Sequence, residues 1–194
     1  MKQSEFIKIS DKESRLVSKM YGWKQSSYIN YKIEKGYFFC VSRSIKESYL
    51  EVKPMYTDDL WWDIFDMSEN KNARISLRGT GTFQVFPSRI AVYETMPNDI
   101  NSYSTTDINA IWHNIFEQAN SDVQKFLTEN PDADTYIPDE KQSLLWLMSL
   151  LHNGRKDEVV EYIFNQKNKG QCSSGYINQS KDGYDYILEW CNNH

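Results

Sequence analysis

From Thr105 onward the apolar residues switch from a spacing of two to one of roughly 3.6, and only a fold that mixes sheet and helix accommodates both periods. Ile108, Ile111, Trp112, Ile115, Ala119, Val123, Phe126 and Leu127 make one stripe, which predicts a long amphipathic helix. It should stop near Asn130-Pro131, because proline drives the preceding residue out of helical geometry. Upstream, Tyr28 to Ile33 and Tyr37 to Val41 are rich in aromatic and β-branched residues around Glu34-Lys35-Gly36, the pattern of a tight hairpin. Strands are also expected over Tyr49 to Met55, Ala73 to Leu77, Thr82 to Phe86 and Arg89 to Glu94. Helices are expected over Glu5 to Met20 and from Thr57 to Met67, with Thr57 as the cap. Downstream of the long helix, Pro138 opens a helix that ends at Asn153-Gly154, Lys156 to Lys167 forms its hairpin partner, and a polar loop over 171–183 leads to a last helix from Tyr184 to Cys191. The fold class is therefore α+β: an antiparallel sheet of five to six strands in the N-terminal half, followed by a C-terminal cluster of about four helices. Trp112, Ile115 and Phe126 are expected to be buried with Leu144, Leu147 or Leu151.

With 194 residues, 40 % hydrophobic and 25 % charged, the chain is expected to be a single domain over 1–194. The sheet part would occupy 1–97 and the helical part 98–194, with the change at Met96-Pro97-Asn98-Asp99. Residues 1–97 hold 15 basic against 12 acidic side chains, and residues 98–194 hold 7 against 15, so an overall charge of -5 conceals halves of +3 and -8. No cationic cluster for nucleic acid follows from this balance. No apolar run approaches the roughly 20 residues of a membrane span. Met1-Lys2-Gln3-Ser4-Glu5 lacks the apolar core of a signal peptide. Cys40, Cys172 and Cys191 form no C-x-x-C pair. The cytoplasm is the expected compartment, with no cofactor.

Motifs for catalysis fail on their chemistry. Gly79-Thr80-Gly81 is followed by Gln84 where a dinucleotide loop needs glycine, so it reads as a turn. His113, His152 and His194 have no i, i+4 partner, and no metal site is expected. Cys40 reads as a small buried side chain. Asp59, Asp63 and Asp66, at i, i+4 and i+7, would share one face of a helix and are the candidates for carboxylate acid/base chemistry. Trp61 and Trp62 stand about 100° apart on that helix. One of them belongs to the core, and Trp62 is assigned to a contact surface. Glu129, Asp132, Asp134, Asp139 and Glu140 interrupted by Tyr136 make an anionic loop with an aromatic anchor, suited to a basic protein partner.

Tyr21-Gly22-Trp23-Lys24, the aromatic hairpin, Leu60-Trp61-Trp62-Asp63-Ile64-Phe65 and Ser76-Leu77-Arg78-Gly79-Thr80-Gly81-Thr82-Phe83 resemble uncharacterised bacterial α+β domains found among toxin-immunity and accessory proteins. The resemblance covers residues 5–95 and implies a module whose task is binding. The expected function is thus protein binding of the inhibitor or immunity type, through aromatic anchors and Asp132, Asp134, Tyr136, Asp139 and Glu140. The alternative is a carboxylate-dependent hydrolase or transferase.

Overall fold

An 18-residue helix, α1 (Gln3–Met20), opens the chain in the computed structural model, which describes residues 2–43, 46–95, 103–139, 143–171 and 173–194. In chain order follow β1 (Lys24–Ser26), β2 (Ile29–Glu34), β3 (Tyr37–Ser42), β4 (Glu47–Pro54), α2 (Tyr56–Ile64), a 3-10 turn (Ser68–Asn72), α3 (Leu77–Thr80), β5 (Ser88–Glu94), α4 (Thr105–Glu129), α5 (Leu144–His152), α6 (Lys156–Asn168), β6 (Ile177–Asn178), β7 (Lys181–Asp182) and α7 (Gly183–Asn193). The fold is α+β, with a five-stranded antiparallel sheet in the order β1-β2-β3-β4-β5. Among the described residues no helix is long and apolar enough to cross a membrane.

The chain divides into two compact units, each built from two stretches: Met1–Lys53 with Pro87–Ala133, and Pro54–Phe86 with Asp134–His194. The first unit holds the sheet, α1 and α4. Its hairpin closes through Lys35 and Gly36 at φ 46° and 79°, a turn in which both central residues are left-handed, so glycine is needed at one of them. Alternation along β3 aims Tyr37 and Phe39 at Phe126 of α4, with ring centroids 5.2 and 5.7 Å apart. A capping box starts α4: the Ser104 hydroxyl accepts from Asp107 N–H, and the Asp107 carboxylate accepts from Ser104 N–H at 2.8 Å. Helices α1 and α4 are also joined by polar bonds, from Trp112 Nε1 to Ser10 Oγ (3.0 Å) and from Asn109 Nδ2 to Glu13 Oε2 (2.7 Å).

The second unit buries Trp61, Trp62, Phe65, Val85, Leu145, Leu147, Met148, Leu150, Leu151, Val159, Ile163 and Ile187 in one cluster. Helix α5 starts at Leu144 on a Ser143 cap that accepts from Trp146 N–H. Pro138 and Asp139 lie outside it, and Glu140 lies outside the described residues. Trp112, Ile115 and Phe126 are buried in the first unit, and Leu145, Leu147, Leu150 and Leu151 are buried in the second.

Several local expectations are corrected. Ala73–Leu77 and Thr82–Phe86 are not strands. The backbone of 83–85 is satisfied by side chains instead of a ladder: Phe83 O accepts from Trp62 Nε1 (3.0 Å), Gln84 O from the Tyr176 hydroxyl (3.0 Å), and Val85 N–H donates to Asp58 Oδ1 (2.8 Å). Thr57 is no cap: helix α2 begins one residue earlier, and the Thr57 hydroxyl donates to Pro54 O at 2.7 Å. Strand β1 was not legible in the polar run Lys24-Gln25-Ser26. The loop over 171–183 contains the hairpin β6–β7, turned by Gln179 and Ser180 at positive φ. Gly81 serves space rather than an anion, since a Cβ there would lie 2.6 Å from the Leu77 carbonyl oxygen.

Candidate functional site

Of the three carboxylates expected to share a face, Asp59 and Asp63 lie at i, i+4 within α2 and Asp66 does not. Helix α2 ends at Ile64, and Asp66 sits beyond it at φ 56°, the residue after the cap, with Met67 N–H bonded back to Trp62 O at 2.8 Å. Asp59 accepts from Arg78 Nη2 at 2.7 Å. Asp63 accepts from Ser68 Oγ at 2.7 Å and from Lys71 Nζ. Burial would raise the pKa of Asp63, but the bonds from Lys71 and Ser68 hold it below the usual value. The neighbour that sequence reasoning missed is Asp58, fully buried, with Arg78 Nη1 3.5 Å from its Oδ2. Trp62, expected at a contact surface, is 1 % exposed. Trp61 and Trp62 are both buried although they stand about 100° apart, while Asp63 takes the exposed side of α2.

The acidic stretch is exposed at Asp132, Asp134 and Asp139. In the first unit, Asp132 O accepts from the Tyr37 hydroxyl at 3.1 Å. In the second, Asp134 Oδ1 lies 3.4 Å from His152 Nε2, and the His152 ring stacks on Tyr56 at 3.6 Å. Tyr136 is half-buried, and burial, with Asp139 and Tyr56 adding to it, pushes its hydroxyl up to about 12.

The sheet carries a second ionisable group, Cys40 Sγ 3.7 Å from Glu51 Oε2. Burial first, and Glu51 second, push the Cys40 thiol well above its ordinary value, which leaves it protonated and unreactive. Burial also raises the carboxyl of Glu51, against the opposing pull of Arg89, Cys40 and Lys53. A carboxyl raised in the folded state contributes most to stability below its unfolded value and loses that contribution as pH rises through the folded value. Glu51→Gln is therefore expected to gain on the wild type as pH rises above about 4, the ordinary glutamate range. Urea midpoints measured on rising pH check it, and a constant difference between the two proteins would contradict it.

A concave feature of the first unit lies beside α1. Phe6, Ile7, Ser10, Asp11 and Arg15 of the helix, Ser27 and Tyr28 of the β1–β2 turn, Arg43 after β3 and Trp112 of α4 line a cavity of about 550 Å³. The helical period explains the first group, because Ile7, Asp11 and Arg15 stand at i, i+4 and i+8. Ser27, at φ 43°, turns its carbonyl to two guanidiniums: Arg15 Nη2 donates to it at 3.1 Å, and Arg43 Nη2 also donates to it. The Asp11 carboxylate bridges the same pair, with Oδ2 2.9 Å from Arg15 Nε and Oδ1 3.3 Å from Arg43 Nη2. Arg43 Nη1 reaches Ser14 Oγ at 3.4 Å, while its buried Nε has no hydrogen-bond partner among the described residues. The Arg43 side chain is 7 % exposed, against 43 % for Arg15 and 46 % for Asp11. Burial lowers the pKa of Arg43, Asp11 opposes this and Arg15 adds to it. An arginine stays charged through such a shift. The rim is apolar and open, with Ile7 40 % and Tyr28 52 % exposed.

None of the charged residues of this set was named from the sequence, and only Asp11 and Arg15, an i, i+4 pair on α1, carry a local signal that could have found them. Arg43 reaches them through the sheet topology. Ser10 Oγ accepts from Trp112 Nε1, and Ser14 Oγ donates to Asp11 O at 3.3 Å, so both hydroxyls are engaged in the framework. The arrangement can hold an anion beside an apolar group. Among the described residues no three His, Cys, Asp or Glu side chains form a set that could hold a metal ion. No family model, no curated protein and no solved structure matches the chain.

Proposed function

We propose that this protein is a cytoplasmic binding module of the inhibitor or immunity type, which holds a segment of another protein in the cleft beside α1. The observation that carries the reading is the cleft itself, where a framework of fixed arginines underlies an exposed apolar rim of Ile7 and Tyr28. Such a combination suits recognition, since apolar area supplies affinity and charge selects the partner. The free thiols of Cys40 and Cys191 agree with a reducing compartment. Exposed Asp132, Asp134 and Asp139 would add long-range attraction for a basic partner. The hydrolase or transferase reading has less behind it, because Asp59 and Asp63 are tied to Arg78 and Lys71 and Asp66 has left the helix.

The test compares the wild type, Ile7→Ser/Tyr28→Ser and Asp132→Asn/Asp134→Asn/Asp139→Asn as baits in extracts of the native cell. Exposed positions of this kind shift stability by no more than about 0.5 kcal/mol each. A partner retained by the wild type should be lost by the cleft variant. The loop variant should keep it, with slower association and weaker salt dependence. If the cleft variant retains every protein that the wild type retains, the cleft is not the docking site.

A further inference from the structure

The chain's own Asp11 already demonstrates what fits between Arg15 and Arg43: a planar carboxylate, with one oxygen on each guanidinium at 2.9 and 3.3 Å. That carboxylate is 46 % exposed on one turn of α1, its contact with Arg43 is long, and it can swing to solvent. Arg43 cannot, because its side chain is 7 % exposed and is held by Ser27 O, Ser14 Oγ and Asp11. A deeply buried guanidinium whose Nε has no acceptor among the described residues is incompletely satisfied by them. A carboxylate that takes the place of Asp11 restores the same charge and the same planar two-point contact that the chain itself uses there, which a tetrahedral phosphate does not reproduce. Beside the charges, Phe6, Ile7, Tyr28 and Trp112 supply an apolar wall.

From this we infer that the cleft is a carboxylate site for a ligand whose acid group adjoins an apolar or aromatic group, and that Asp11 is an internal competitor for the same position. The inference rests on the binding reading above and names its chemistry. The carboxylate can come from the C-terminus of a polypeptide ending in an apolar residue or from a small free acid. Guanidinium pairs take either by the same two-point geometry.

Titration calorimetry of the full chain uses 3-phenylpropionate, its amide, phenyl phosphate, and an acetylated peptide ending in Phe as the free acid and as the amide. Both acids should bind at least roughly tenfold more tightly than their amides. Arg15→Gln should weaken the acids by about the same factor and leave the amides unchanged. Asp11→Asn should strengthen the acids, an effect that a merely structural ion pair would not produce. Arg15 and Asp11 are used because both are exposed enough for their variants to fold, and circular dichroism verifies this. Tighter binding of the peptide acid assigns the site to a chain terminus, and tighter binding of 3-phenylpropionate assigns it to a free acid. In both cases the carboxylate site stands. Equal binding of acids and amides, preference for phenyl phosphate, or an Asp11→Asn variant that gains nothing overturns it. These probes involve no partner protein, so their failure leaves the capture experiment to decide the wider reading separately.

Discussion

Asp58→Ala is expected to remove about 3–5 kcal/mol from the stability of the second unit, the range found when one member of a buried ion pair is deleted. Asp58 is fully buried. Its Oδ1 holds Val85 N–H at 2.8 Å, and its Oδ2 faces Arg78 Nη1 at 3.5 Å. Alanine would strand a buried amide and weaken the hold on a guanidinium that is itself 6 % exposed. Arg78 would keep Met55 O at 2.6 Å and Asp59 at 2.7 Å, which is why the loss should fall within that range and not beyond it. Asp58→Asn should lose less, because an amide oxygen can still accept from Val85. Urea unfolding followed by tryptophan fluorescence measures both. If alanine costs no more than a surface substitution, the pair is not what holds 83–85 against α2.

Trp62→Ala carries the other large expectation, a loss of about 3–5 kcal/mol. The ring is 1 % exposed, its Nε1 donates to Phe83 O at 3.0 Å, and the Arg78 guanidinium lies 5.2 Å from its centroid. Trp62→Phe keeps a surface for the cation but not the donor, and should lose less. Because Asp58 and Trp62 both act on Arg78, the double variant should depart from additivity by about 0.5–3 kcal/mol. A partner-facing Trp62 would behave in the opposite way, with stability intact and binding lost. Unchanged unfolding of Trp62→Ala would restore that assignment.

These two residues also mark where sequence reading stops. Helix α4 and the β2–β3 hairpin were legible because their signals are local: a stripe of one period, and a glycine between two aromatic runs. Phe83 and Val85 alternate as a strand would, yet the backbone of 83–85 finds its partners in Trp62, Tyr176 and Asp58, groups distant in the chain that no periodicity connects. The cleft divides along the same line. Asp11 and Arg15 sit one helical turn apart and can be paired on paper, whereas Arg43 meets them only after three strands have folded back beside α1. Charge clustering drew attention to Asp132, Asp134 and Asp139 instead, because acids adjacent in sequence are visible and guanidiniums gathered by topology are not.

The interleaving of the two units has a consequence for synthesis. A ribosome releases Tyr37 and Phe39 long before Phe126, the ring on which they pack, and it releases Trp61 and Trp62 long before α5 and α7. Neither core can close on the nascent N-terminal half. For most of translation the aromatic strands and the paired tryptophans stand open to water and to each other, the condition in which chaperone capture and aggregation compete with folding. Both units depend on contacts far apart in sequence and should fold slowly once the chain is free. Separate expression of 1–97 and 98–194 would yield two pieces that each carry half of two cores, and co-expression of both pieces would be needed to recover either one.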